Sequence, residues 1–88
     1  VTVAQQDAVR WLLARGIRTG IRGGTFVQYY TEKKNTSWNP STGRQHAYRR
    51  TGGRLLANME REGLVVRERW IHGVPEYRLT EAAIREAT

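Results

Sequence analysis

Leu55-Leu56-Ala57-Asn58-Met59-Glu60-Arg61-Glu62-Gly63-Leu64-Val65 changes its hydrophobic period partway along. Up to Met59 the apolar positions keep helical spacing, with Tyr48, Gly52, Leu55, Leu56 and Met59 on one face. Past Gly63 the pattern turns to β-formers. Leu64-Val65-Val66-Arg67-Glu68-Arg69-Trp70 reads as a strand and Glu76-Tyr77-Arg78-Leu79 as its partner. Ile71-His72-Gly73-Val74-Pro75 supplies the turn between them, with Gly73 as the permissive residue. The stretch therefore predicts a helix over about 43–62 that stops at a glycine and feeds a hairpin.

The Gly52-Gly53 pair is the weak point of that helix, since each interior glycine costs on the order of 1 kcal/mol relative to alanine. Either the pair divides two short helices, or small residues there permit close approach of another surface. One helix, kinked at the pair, is the preferred reading.

Working outward, Thr42-x-x-Gln45 has the form of a helix cap, and Asn35 to Ser41 is turn material. Thr25-x-x-Gln28 has the same form and predicts a second helix through Phe26, Val27 and Tyr30 to Lys34, although Thr-Phe-Val-Gln-Tyr-Tyr-Thr is also rich in β-formers. Gly16 to Gly24 reads as a loop with room for a short edge strand. Thr2-x-x-Gln5 caps a first helix over about 3–15, whose Val9, Leu12, Leu13 and Ile17 share a face. Thr80-Glu81 caps a last helix containing Ala82, Ala83 and Ile84. The order is helix, loop, helix, helix, hairpin, helix. It predicts one domain over 1–88, mainly α with a small β-hairpin (α+β).

Charge is distributed unevenly. From Arg15 to Arg54 nine basic residues face Glu32 alone, giving +8, whereas the rest of the chain sums to −1. Concentrating one sign costs self-repulsion, which is best tolerated where a polyanion neutralises it. On the 43–62 helix, the face opposite the apolar stripe presents His46, Arg50, Gly53, Arg54, Ala57 and Arg61, flanked by Arg49.

The end of this helix, the glycine turn, the basic hairpin and Tyr77-Arg78-Leu79-Thr80-Glu81 resemble a winged helix-turn-helix domain of the bacterial and viral repressor kind. The likeness is carried by residues 42–88; the first half matches in element order only, and the 35–42 segment is longer than the usual tight turn. The resemblance implies that the 43–62 helix enters the major groove and that the hairpin contacts the backbone or minor groove of double-stranded DNA. The residues suit that role. A major groove about 12 Å wide admits one helix, and arginine donates two parallel bonds to guanine. Arg49, Arg50 and Arg54, with Arg44 and His46 at the helix start, are the candidate readers. Arg67 and Arg69 on the hairpin, with His72 and Arg78 beside them, are candidates for phosphate contact, as are Arg18, Arg22, Lys33 and Lys34 from the loop and second helix.

Each has a plainer alternative. Exposed arginines are usually solvated surface, Arg61 is expected to be that, and Arg67 and Arg69 have Glu68 and Glu76 as available partners. Trp11, Tyr48, Trp70 and Tyr77 are assigned to the core, which at 88 residues needs their area. Trp38 either anchors its loop or packs against a partner.

No cysteine is present and the two histidines are too few for a metal site, so no metal and no cofactor are expected. No nucleophile with a matched base, P-loop or dinucleotide glycine pattern is present, so an enzyme is not expected. No apolar run spans a bilayer and no signal-peptide pattern opens the chain, from which a cytoplasmic protein is expected. The function expected is a sequence-specific DNA-binding transcriptional regulator. The alternatives are an architectural, recombination or replication accessory protein, or a module docking an acidic protein partner. The first and last helices are available for a homodimer, and monomers on adjacent sites are the other arrangement.

Overall fold

A computed structural model describes residues 1–33 and 42–87, with the backbone alone for 42–46. It contains α1 (Val3–Ala14), a 3-10 turn (Gly23–Thr25), α2 (Phe26–Lys33), α3 (Thr42–Arg61), β1 (Val65–Ile71), β2 (Val74–Leu79) and α4 (Glu81–Ala87). The molecule is thus mainly helical with one antiparallel hairpin. Among the described residues no helix is long and apolar enough to cross a membrane. The expected turn at 35–41, Trp38 and Lys34 lie outside the described residues, as do the side chains of Arg44 and His46.

Local signals account for most boundaries. At the start of α1, Gln5 N–H donates to Thr2 Oγ1 (3.1 Å) and Thr2 N–H to Gln5 Oε1 (2.9 Å), the reciprocal pair the sequence predicts. The end of α3 closes through Gly63, whose positive φ of 76° lets Leu64 N–H reach back to the Met59 carbonyl at 2.8 Å. Thr80 caps α4, its Oγ1 accepting from Ala83 N–H.

Two local expectations need correction. Thr25 does not cap α2; it closes the 3-10 turn, its Oγ1 accepting from Arg22 N–H at 3.0 Å, while Gln28 turns to Glu32. The hairpin turn is also tighter than 71–75. Ile71 pairs with Val74, leaving only His72 and Gly73, at φ 52° and 76°, in the two-residue geometry that right-twisted strands favour.

The Gly16–Gly24 loop does supply a short edge, because Ile21 and Tyr77 exchange both backbone hydrogen bonds at 2.9 Å. This bridge lies on the β2 edge away from β1. The core then forms where α1, α2 and α3 meet the sheet: Val9, Leu12, Ile21, Phe26, Leu56, Met59, Leu64 and Val65 are all essentially excluded from water. Aromatic rings tie the helices together, from Trp11 to Tyr29 (5.4 Å), Tyr29 to Tyr30 (5.1 Å) and Tyr30 to Tyr48 (5.7 Å).

The two adjacent glycines have different roles. α3 is continuous through both. A Cβ on Gly52 would lie 2.4 Å from the Gly23 carbonyl oxygen, so α3 and the 3-10 turn touch backbone to backbone. Gly53 faces away, with nothing within 4 Å of where its Cβ would stand.

Candidate nucleic-acid interface

Packing of Gly52, Leu56 and Met59 inward fixes what α3 turns outward: Arg50, Gly53, Arg54, Ala57 and Arg61 are exposed, as is Arg49. Among the described residues, Arg49, Arg50 and Arg54 make no ion pair; Arg61 donates to Asn58 Oδ1. Three guanidiniums within two turns of one helix therefore keep all their donors available to solvent. Arg49 lies across the 3-10 turn, its Nε 3.7 Å from where a Cβ on Gly24 would be.

Most other cations named from the sequence are committed within the chain. Lys33 pairs with Asp7 at 2.5 Å, and Tyr29 donates to the same carboxylate at 2.8 Å. The hydrogen bond from Lys33, then that from Tyr29, holds Asp7 below its ordinary range. Burial, reinforced by Asp7, pushes the Tyr29 hydroxyl up, so it remains a neutral donor. Arg15 pairs with Glu32, which also accepts from Trp11 Nε1 at 2.7 Å. Arg67 pairs with Glu60 on α3 at 3.1 Å rather than with Glu68 or Glu76. Arg18 and Arg78 are exposed and unpaired among the described residues.

Glu76 is the center of the largest charged cluster. Its side chain is only 6% exposed, Arg69 Nε reaches Oε1 at 2.8 Å, and Arg22 reaches Oε2 through Nη2 at 2.5 Å. Arg69 and then Arg22 hold its carboxyl below the usual value of 4.5, and Glu76 in turn raises the Arg69 guanidinium. The two arginines remain 42% and 64% exposed, so Glu76 fixes their direction without covering them. Arg22 stands next to Ile21 on the bridging edge and Arg69 faces Glu76 on β1, so the cluster runs across the sheet.

Trp70 must be reassigned. It is 59% exposed rather than core. Trp70 pairs with Pro75 one step from the two-residue turn, beyond the buried Val65–Leu79 end of the hairpin; a bulge precedes it, with Arg67 paired to Tyr77, Arg69 to Glu76 and Glu68 unpaired. The extra residue brings Trp70 onto the face of Arg67, whose guanidinium lies 5.4 Å from the indole and whose ion pair points to α3. Tyr77 is buried in the core and Trp11 packs half-buried against it, whereas Tyr48 is half-buried outside the core cluster, against Tyr30.

Compared with family models, curated proteins and solved structures, the chain finds no match in any of the three.

Proposed function

We propose that this chain is a winged helix-turn-helix protein that binds double-stranded DNA in a sequence-specific, regulatory role, with α3 in the major groove and the β1–β2 hairpin as its wing. The supporting observation is the separation of paired from unpaired cations. Among the described residues, Arg15, Arg22, Lys33, Arg67 and Arg69 each have a carboxylate partner, whereas Arg49, Arg50 and Arg54, grouped on the solvent face of α3, have none, and Arg18 and Arg78 stand unpaired elsewhere. Three unpaired guanidiniums thus stand together on a helix whose Gly52, Leu56 and Met59 are buried, leaving its other face open to a polyanion. The order of helices, the bridging edge at Ile21 and the hairpin fit the same architecture.

Each arginine that forms a bidentate pair with guanine contributes about 1–3 kcal/mol of discrimination. The test is selection from a random duplex library, followed by affinity against salt for the wild type and for Arg50→Ala with Arg54→Ala. The double variant should lose at least about tenfold and flatten the salt slope by about one to two units. An enriched motif with a dyad repeat supports a dimeric regulator, and binding without enrichment an architectural protein. Unchanged affinity in a folded double variant refutes the placement of α3. No binding at low salt refutes the proposal and turns attention to an acidic protein partner.

A further inference from the structure

Beside α3 lies a groove of about 630 Å³, walled by Arg49 on α3 and Arg22 on the loop, floored by Gly24 and Gly53, and rimmed by Val74 and Pro75 of β2. A larger groove, about 860 Å³, opens between α1 and α2, but there Trp11, Arg15 and Gln28 all converge on Glu32. Its polar groups satisfy one another. Those of the smaller groove do not: Arg49 is unpaired among the described residues, and Arg22 is held by Glu76 with 42% of its side chain still exposed. No free carboxylate oxygen competes, since Arg22 takes one oxygen of Glu76 and Arg69 the other.

We infer that this groove takes the sugar–phosphate backbone of one DNA strand, with Arg49 and Arg22 on the phosphates and Val74 and Pro75 against deoxyribose. The inference rests on the DNA-binding function proposed above and gives the strand its path. Two guanidiniums and an apolar Val74–Pro75 rim suit a backbone that carries both phosphate and sugar. Gly53 is an independent observation. A glycine in a helix interior is destabilising relative to alanine, and Gly52 has its reason in the contact with Gly23. Among the described residues Gly53 has no such reason, because nothing lies within 4 Å of its missing Cβ. A strand seated on the floor of the groove accounts for it.

The two roles of Gly53 separate in experiment. Gly53→Leu should fold with an unchanged or higher melting temperature, because the side chain enters open space and favours helix. Its affinity for duplex DNA should nevertheless fall at least tenfold, with Gly53→Ala between. Methylphosphonate substitution scanned along one strand then locates the phosphate. At one position it should weaken the wild type but leave Arg49→Gln little changed, the two losses being non-additive. Gly53→Leu binding as well as the wild type, while the Arg50 and Arg54 double variant still loses affinity, overturns the groove and leaves the placement of α3 standing. Additive losses at every methylphosphonate position also overturn it. A wild type that binds no duplex overturns both.

Discussion

Gly52→Ala adds one methyl group where α3 crosses the 3-10 turn. That methyl carbon would stand 2.4 Å from the Gly23 carbonyl oxygen and 3.1 Å from Phe26 Cβ. Neither neighbour gives way cheaply, since one is backbone and the other is the first carbon of a side chain fully excluded from water. The reverse contact is as close, because a Cβ on Gly23 would lie 2.7 Å from the Arg49 carbonyl oxygen. Overpacking of this kind costs about 1–3 kcal/mol, and the backbone contact places it in the upper part of that range. Alanine's better helix propensity returns up to about 1 kcal/mol. The net loss is then about 1–2 kcal/mol, and at about 4–8 °C per kcal/mol for a domain of this size the melting temperature should fall by roughly 5–15 °C. Circular dichroism melts measure it, and urea titration with an unchanged m-value would assign the loss to the folded state. A Gly52→Ala protein that melts at or above the wild-type temperature refutes the packing of α3 on residues 23–25.

Acid should destabilise the fold. Asp7, Glu32 and Glu76 all titrate below their ordinary values, the first through Lys33, the second through Trp11 and the third through Arg69. Their folded forms favour the charged state, so stability is fully present above the ordinary carboxylate value of 4.5 and is lost as pH falls through the lower folded values. Melting temperature should hold steady from neutral pH to about pH 5 and decline below it, with a shallower decline in Glu76→Gln; a rise on acidification contradicts the ion pairs. Trp70→Ala should shift the melting temperature by no more than about 2–4 °C, as expected for a surface change of about 0.5 kcal/mol. A larger loss would return Trp70 to the core.

The elements were legible in the sequence wherever a local rule governs them. Thr2 with Gln5, Gly63 and Thr80 mark ends through bonds spanning a few residues, and the stripe from Gly52 to Met59 shows which face of α3 turns inward. Thr25 misled because its hydroxyl accepts from Arg22 N–H, behind it in the chain, rather than from the amide ahead that a helix cap requires. Trp70 misled for a different reason. It pairs with Pro75 at the turn end of the hairpin, beyond the buried Val65–Leu79 end, and composition does not say how far the core reaches along a strand. At the candidate site, the sequence supplies the cations but not their partners. Glu76 and Arg22 are 54 residues apart and meet only because Ile21 pairs with Tyr77.

Those partners change what the net charge of +7 means. Spread evenly, it would argue only for solubility and nonspecific attraction. In the folded chain Asp7, Glu32, Glu60 and Glu76 are paired with cations outside α3, and the segment of α3 from Arg49 to Arg54 holds three like charges and two glycines. That is the least helix-favouring stretch of α3 by propensity and by repulsion alike. It is held helical from behind, by Tyr48 against Tyr30, Gly52 against Gly23, and Leu56 and Met59 in the core. Substitutions that ease the outer face should therefore stabilise the free protein, whereas those on the inner face should destabilise it. Gly53→Ala and Gly52→Ala lie on adjacent residues of one helix and carry opposite signs. If α3 meets a polyanion as proposed, the same repulsion becomes attraction in the complex.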